Sequence, residues 1–187
     1  MKKILVIAAI TSSLTGFSQI DSVYTNLEDA LANKENVYQL DLQHQNLEEI
    51  PSDVYELENL TFLDLGSNNI QDLDDQLSEL ENLEFLVLTD NRFKNVPFAV
   101  FTLNNLTHLY LADNRLKEIP NEINHLSKLE YLDIGLNGIN KLPANLDGLV
   151  NLKKIIVTSH PVIETQQFSA EVLSKLKQLL PNCEILQ

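Results

Sequence analysis

Residues 83–93 read LEFLVLTDNRF, and residues 106–116 read LTHLYLADNRL. The two stretches are 23 residues apart and share one pattern, L-x-x-L-x-L-x-x-N-x-apolar. Working outward, the same 23-residue step places an apolar residue at Val37, Leu60, Leu83, Leu106, Leu129 and Leu152. No residue is gained or lost between units. Such a fixed period is the signature of a solenoid, in which each unit stacks on the next.

The rest of the unit repeats as well. An apolar–Pro pair recurs at Ile50-Pro51, Val96-Pro97, Ile119-Pro120 and Leu142-Pro143, and the second unit breaks it with Leu73-Asp74. Two more apolar columns follow, at Val54, Leu77, Val100, Ile123 and Leu146, and at Leu57, Leu80, Leu103, Leu126 and Leu149. The L-x-L alternation predicts a short strand with its leucines facing inward. Proline donates no backbone hydrogen bond, so it suits the turn away from the sheet. The spacing after it predicts a short helical or irregular convex segment. Asn68, Asn91, Asn114 and Asn137 fall where each chain leaves its strand. An inward amide there can bond the bend's own backbone and that of the next coil. The outer units depart from the column, with Gln45 in the first and His160 in the sixth.

These motifs resemble the leucine-rich repeat family, and the Ile-Pro-bearing unit is similar to the short type of bacterial and Ras-suppressor-like proteins. The resemblance implies an α/β fold: a right-handed solenoid with a curved parallel β-sheet on the concave face and short helical or 3-10 segments on the convex one. It also implies protein–protein interaction as the default role, with no enzymatic activity.

Both ends read as caps, so the chain reads as complete. Thr25-Asn26-Leu27-Glu28 has capping-box spacing and predicts a helix over about 26–33. Ser169 precedes a helical stripe of Val172, Leu173, Leu176, Leu179 and Leu180 that Pro181 ends. Leu180, Cys183 and Ile185 then repeat the L-x-x-L-x-L spacing, which predicts a seventh strand with Cys183 in its core.

At the extreme N-terminus Lys2 and Lys3 precede an apolar run from Ile4 to Ile10, then small residues up to Ser18. That is the order of a secretory signal peptide cut after Ser18. The run is too short to span a bilayer. The expected organisation is a signal peptide over 1–18, a helical cap over 19–36, repeats over 37–168 and a C-terminal cap over 169–187. The protein is expected to be secreted or periplasmic, monomeric, and without membrane insertion of the mature chain.

Cleavage leaves 169 of the 187 residues and moves the formal charge from −14 to −16. So acidic a chain repels nucleic acid and anionic membranes; the charge reads first as a means of solubility and second as attraction for a basic partner. Cys183 is the only cysteine, so no internal disulfide is possible. The four histidines lack metal-ligand spacing. Asp41 and Asp64 could flank a hard cation, but no metal or cofactor is expected. Neither a phosphate loop nor a nucleophile elbow occurs.

The residues between the leucines are expected to form outward columns on the sheet face. One column is Gln39, Phe62, Phe85, His108, Tyr131 and Lys154. Another is Asp41, Asp64, Val87, Tyr110, Asp133 and Ile156. A third is His44, Ser67, Asp90, Asp113, Leu136 and Ser159. The candidate binding face is therefore Phe62, Phe85, His108, Tyr110 and Tyr131, rimmed by Asp41, Asp64, Asp90, Asp113 and Asp133. Exposed rings favour recognition of a protein, peptide or glycan. Equally, rings stacked strand on strand can cover one another and stiffen the sheet, as in a passive envelope protein. A hydrolase would need His108 beside Asp133 or Asp90, with a nucleophile in a closed pocket. The Asn-Leu-Thr triplets at Asn59 and Asn105 match a glycosylation sequon but follow from the period.

Overall fold

A computed structural model describes residues 22–159 and 168–187. Among these, eight strands form one parallel sheet in strict sequence order. β1 is Val23–Tyr24, β2 Gln39–Asp41, β3 Phe62–Asp64 and β4 Phe85–Val87. β5 is His108–Tyr110, β6 Tyr131–Asp133, β7 Lys154–Ile156 and β8 Glu184–Leu186. From β2 to β7 the register advances by the repeat period, so Leu40, Leu63, Leu86, Leu109, Leu132 and Ile155 lie side by side. All six are buried and face the inside of the coil. Among the described residues no helix is long and apolar enough to cross a membrane.

The convex side is built from 3-10 turns at Ser52–Glu56, Asp75–Glu79, Phe98–Thr102 and Asn121–His125. Pro51, Pro97 and Pro120 stand immediately before three of them, where a fixed φ and a missing N–H cost nothing. Asp74 takes that place in the second unit. Its side chain accepts from Gln76 N at 2.9 Å, so a capping carboxylate replaces the proline. The irregular unit is therefore the same turn made by other means.

The asparagine column behaves as a ladder. Asn114 Nδ2 donates to Leu88 O at 2.9 Å and to Leu111 O at 3.1 Å, and its Oδ1 accepts from Phe93 N at 3.1 Å. Asn68, Asn91 and Asn137 repeat this arrangement. The coil they reach is the preceding one, not the next. A second ladder runs along the opposite corner, where Asn59, Asn82, Asn105 and Asn151 donate to Glu35, Glu58, Glu81 and Ser127 carbonyls. Both sequon asparagines thus have structural work.

The caps differ in detail from expectation. Strand β1 was not foreseen; it pairs with β2 and extends the sheet at its N-terminal edge. Helix α1 spans Leu27–Leu31, and its cap is Asn26, which accepts from Asp29 N at 3.1 Å. Thr25 lies one residue outside it. Helix α2 spans Ala170–Leu179, capped by Ser169, and buries Val172 and Leu176. The seventh repeat strand is present as β8, with Ile185 beside Ile155. Cys183 is not in its core. It sits just before the strand, half-buried and packed against the main core from its margin.

Candidate binding face

The register dictates that Phe62, Phe85, His108 and Tyr131 fall in line across β3 to β6. Parallel strands are about 4.8 Å apart, close enough for rings to stack. Phe85 and His108 stack with centroids 4.2 Å apart and planes 18° apart. His108 and Tyr131 follow at 5.7 Å and 16°, and Tyr110 meets Tyr131 at 5.0 Å. Phe62 closes the other end, tilted, 6.3 Å from Phe85. The result is one ladder of rings over four coils.

That ladder is less open than the outward column suggests. Phe62 and Phe85 are each 5% exposed and Tyr110 is 9% exposed. With Val87 they form a second small apolar cluster, separate from the main core. Each ring covers its neighbour, and this burial is the physical reason. Only His108 and Tyr131 remain half-exposed. They are the rings a partner can reach.

The carboxylates divide in the same way. Asp41 and Asp64 are buried, Asp133 is half-buried, and Asp90 and Asp113 are exposed. Asp41, Asp64 and Asp133 end their strands, and each accepts from the N–H two residues on: Gln43, Gly66 and Gly135. This Asx turn carries the chain out of the sheet, so these side chains have a structural task. Asp90 and Asp113 do not lie on the sheet at all. With His44, Ser67 and Leu136 they occupy left-handed backbone, φ 52–61°. The expected third column is therefore a row of turns at the sheet's edge. Aspartate tolerates that conformation, whereas leucine is strained in it.

Burial governs the electrostatics. It raises the Asp64 carboxyl to about 6, against the opposing Gly66 N–H bond and aided by Asp41. Burial likewise raises Asp133 to about 6, and Tyr131 to about 12 with help from Asp133. The His108 ring is lowered, first by burial and further by Lys153, against Glu130. Its Nδ1 lies 2.9 Å from Thr107 Oγ1. His108 is thus a neutral stacking ring at pH 7. Asp133 pairs across the sheet with Tyr110, and His108 with Tyr131.

A carboxyl raised in the folded state binds its proton more tightly there than in the unfolded chain. Its stabilising effect is full below about pH 4 and is lost as pH rises through about 6. Asp64→Asn keeps the acceptor for Gly66 N and removes the buried charge. The variant should match the parent near pH 4 and exceed it by about 1–2 kcal/mol at pH 7.5. Urea midpoints at the two pH values check this; a variant weaker than the parent at pH 7.5 contradicts it.

A family model described as leucine rich repeat matches residues 35–93, 81–139 and 104–161. This chain belongs to the leucine-rich repeat family. Its fold resembles the solved structure of a leucine-rich repeat protein from Leptospira interrogans, at 33% identity and a TM-score of 0.69. That match covers 74% of this chain and 36% of the other, so this repeat protein spans about a third of its neighbour's length. No curated protein matches the sequence. The repeat family and its architecture support a binding module in general terms.

Proposed function

We propose that this protein is an exported, non-enzymatic module whose concave face receives a basic segment of another protein. The observation that carries this reading is the pair of half-exposed rings, His108 and Tyr131, at the open end of the ring ladder beside Asp133. Aromatic surface already held in place loses little entropy on binding. A nearby carboxylate suits a lysine or arginine laid across the Tyr131 ring. Export is supported by Lys2, Lys3 and the Ile4–Ile10 run, which lie outside the described residues. The burial of Phe62, Phe85 and Tyr110 favours a second reading for that end of the ladder, as a stiffener of the sheet.

The mature chain, used as bait on the native envelope or extracellular fraction, tests the proposal. The protein isolated from its host should begin at Gln19 by intact mass. His108→Ala with Tyr131→Ala should weaken capture of the partner about tenfold or more. Glu56→Lys with Glu79→Lys on the convex side should leave it unchanged. Loss through the convex pair alone, or Met1 retained in the isolated protein, would refute the concave site or the export respectively.

A further inference from the structure

Charge is segregated along the solenoid. Residues 35–91 hold 15 acidic side chains and no Lys or Arg, while the rest of the sequence holds 12 acidic and 13 basic ones, Lys2 and Lys3 of the N-terminal segment included. Both arginines of the chain, Arg92 and Arg115, directly follow ladder asparagines in consecutive coils. Lys94 and Lys117 stand two residues further on. All four cations are exposed, and Phe93 and Leu116 between them are fully buried. Arg92 N donates to Ile70 O and Arg115 N to Phe93 O, both at 2.9 Å, so the two segments run side by side. The ion pairs among the described residues are made by Lys34, Lys141, Lys153 and Lys154, and by none of these four.

A cleft of about 310 Å³ opens beside them, lined by Arg92, Lys94, Val96, Pro97 and Phe98, with Gln71 and Asp72 from the preceding coil. Phe98 is 64% exposed and leans edge-on against Phe101, 6.2 Å away. Asp72 is the one carboxylate in this lining, and its Oδ1 already accepts from Leu73 N at 2.9 Å.

We propose that this flank docks an acidic segment of a protein partner, with carboxylates on the four cations and an apolar side chain beside Phe98. Neighbouring coils are about 4.8 Å apart, and alternate residues of an extended chain about 6.6 Å. The cations therefore form a small grid that matches acidic residues at alternate positions of an extended peptide. Arginine holds such carboxylates in two-pronged fashion. A duplex or a membrane would also lie against the 15 carboxylates of residues 35–91 and be repelled. A short segment touches only the flank. This surface is distinct from the ring ladder, and either site can fail without the other.

The test uses the whole protein and a fluorescein-labelled peptide with Glu at alternate positions and one central Phe, read by anisotropy. Saturable, salt-sensitive binding is expected. Arg92→Glu with Arg115→Glu should weaken it about tenfold or more, and Phe98→Ser about threefold. Tyr131→Ala should leave it unchanged, and urea midpoints of the flank variants should equal the parent's. The proposal is overturned by no saturation below about 1 mM peptide, or by equal binding to the charge-reversed protein. It is also overturned if duplex DNA or phosphatidylserine vesicles bind more tightly than the peptide and lose that binding through the same substitutions.

Discussion

Asn114→Ala is expected to cost about 2–4 kcal/mol of stability. The side chain is 2% exposed and reaches backbone groups of two coils at once. Truncation leaves Phe93 N without its acceptor and takes one of two ladder donors from each of Leu88 O and Leu111 O, which keep Asn91 Nδ2 at 3.2 Å and Asn137 Nδ2 at 2.9 Å. The orphaned N–H costs about 1–3 kcal/mol, and each weakened carbonyl about a further 0.5–1 kcal/mol. Asn105→Ala is the internal control. That amide is in the outer ladder, donates to Glu81 O and accepts from Lys128 Nζ near solvent, so its loss should cost under about 1 kcal/mol. Urea midpoints for the two variants decide the matter. Equal losses would mean that the inner ladder does not hold the coils in register.

Leu109→Ala is expected to cost about 2–5 kcal/mol. Leu109 is wholly buried in β5, between Leu86 and Leu132 of the adjoining strands. A cavity at that point has packed side chains on both sides and little room to collapse. Tyr131→Ala should cost about 1 kcal/mol, because the ring is only partly buried. The denaturant slope should be read with the midpoint, since a coil that frays separately lowers the slope. A Leu109→Ala loss no greater than that of Tyr131→Ala would contradict the assignment of inner and outer faces.

The inner and outer faces were legible because the strand alternates with period two and the unit with period 23, and both are fixed by leucines. Asn68, Asn91, Asn114 and Asn137 were legible for the same reason. Strand β1 was not, because Val23 lies 16 residues before its partner Gln39, outside the period. The second asparagine ladder stood in the sequence at Asn59, Asn82 and Asn105, but the period explained the two that fit a sequon without pointing to their bonds. The left-handed turns carried no signal, since His44, Ser67, Asp90, Asp113 and Leu136 share no chemistry. The burial of Phe62, Phe85 and Tyr110 lay beyond any pattern within one coil. Periodicity tells which face a ring stands on; only adjacent coils decide whether that ring is covered.

The strict strand order has a mechanical consequence. β1 and β8 lie at opposite edges of the sheet, so a tensile load applied between Ser22 and Gln187 acts across every coil in series. Hydrogen bonds of the sheet run from strand to strand, along the direction of pull. Those of both asparagine ladders do the same. Under tension such bonds open in sequence, one coil peeling from the next, because no strand must slide past another. Each coil released lengthens the molecule by the contour of one repeat and leaves the remaining stack intact. The molecule extends as a series of equal, low-force steps, beginning at whichever cap is weaker.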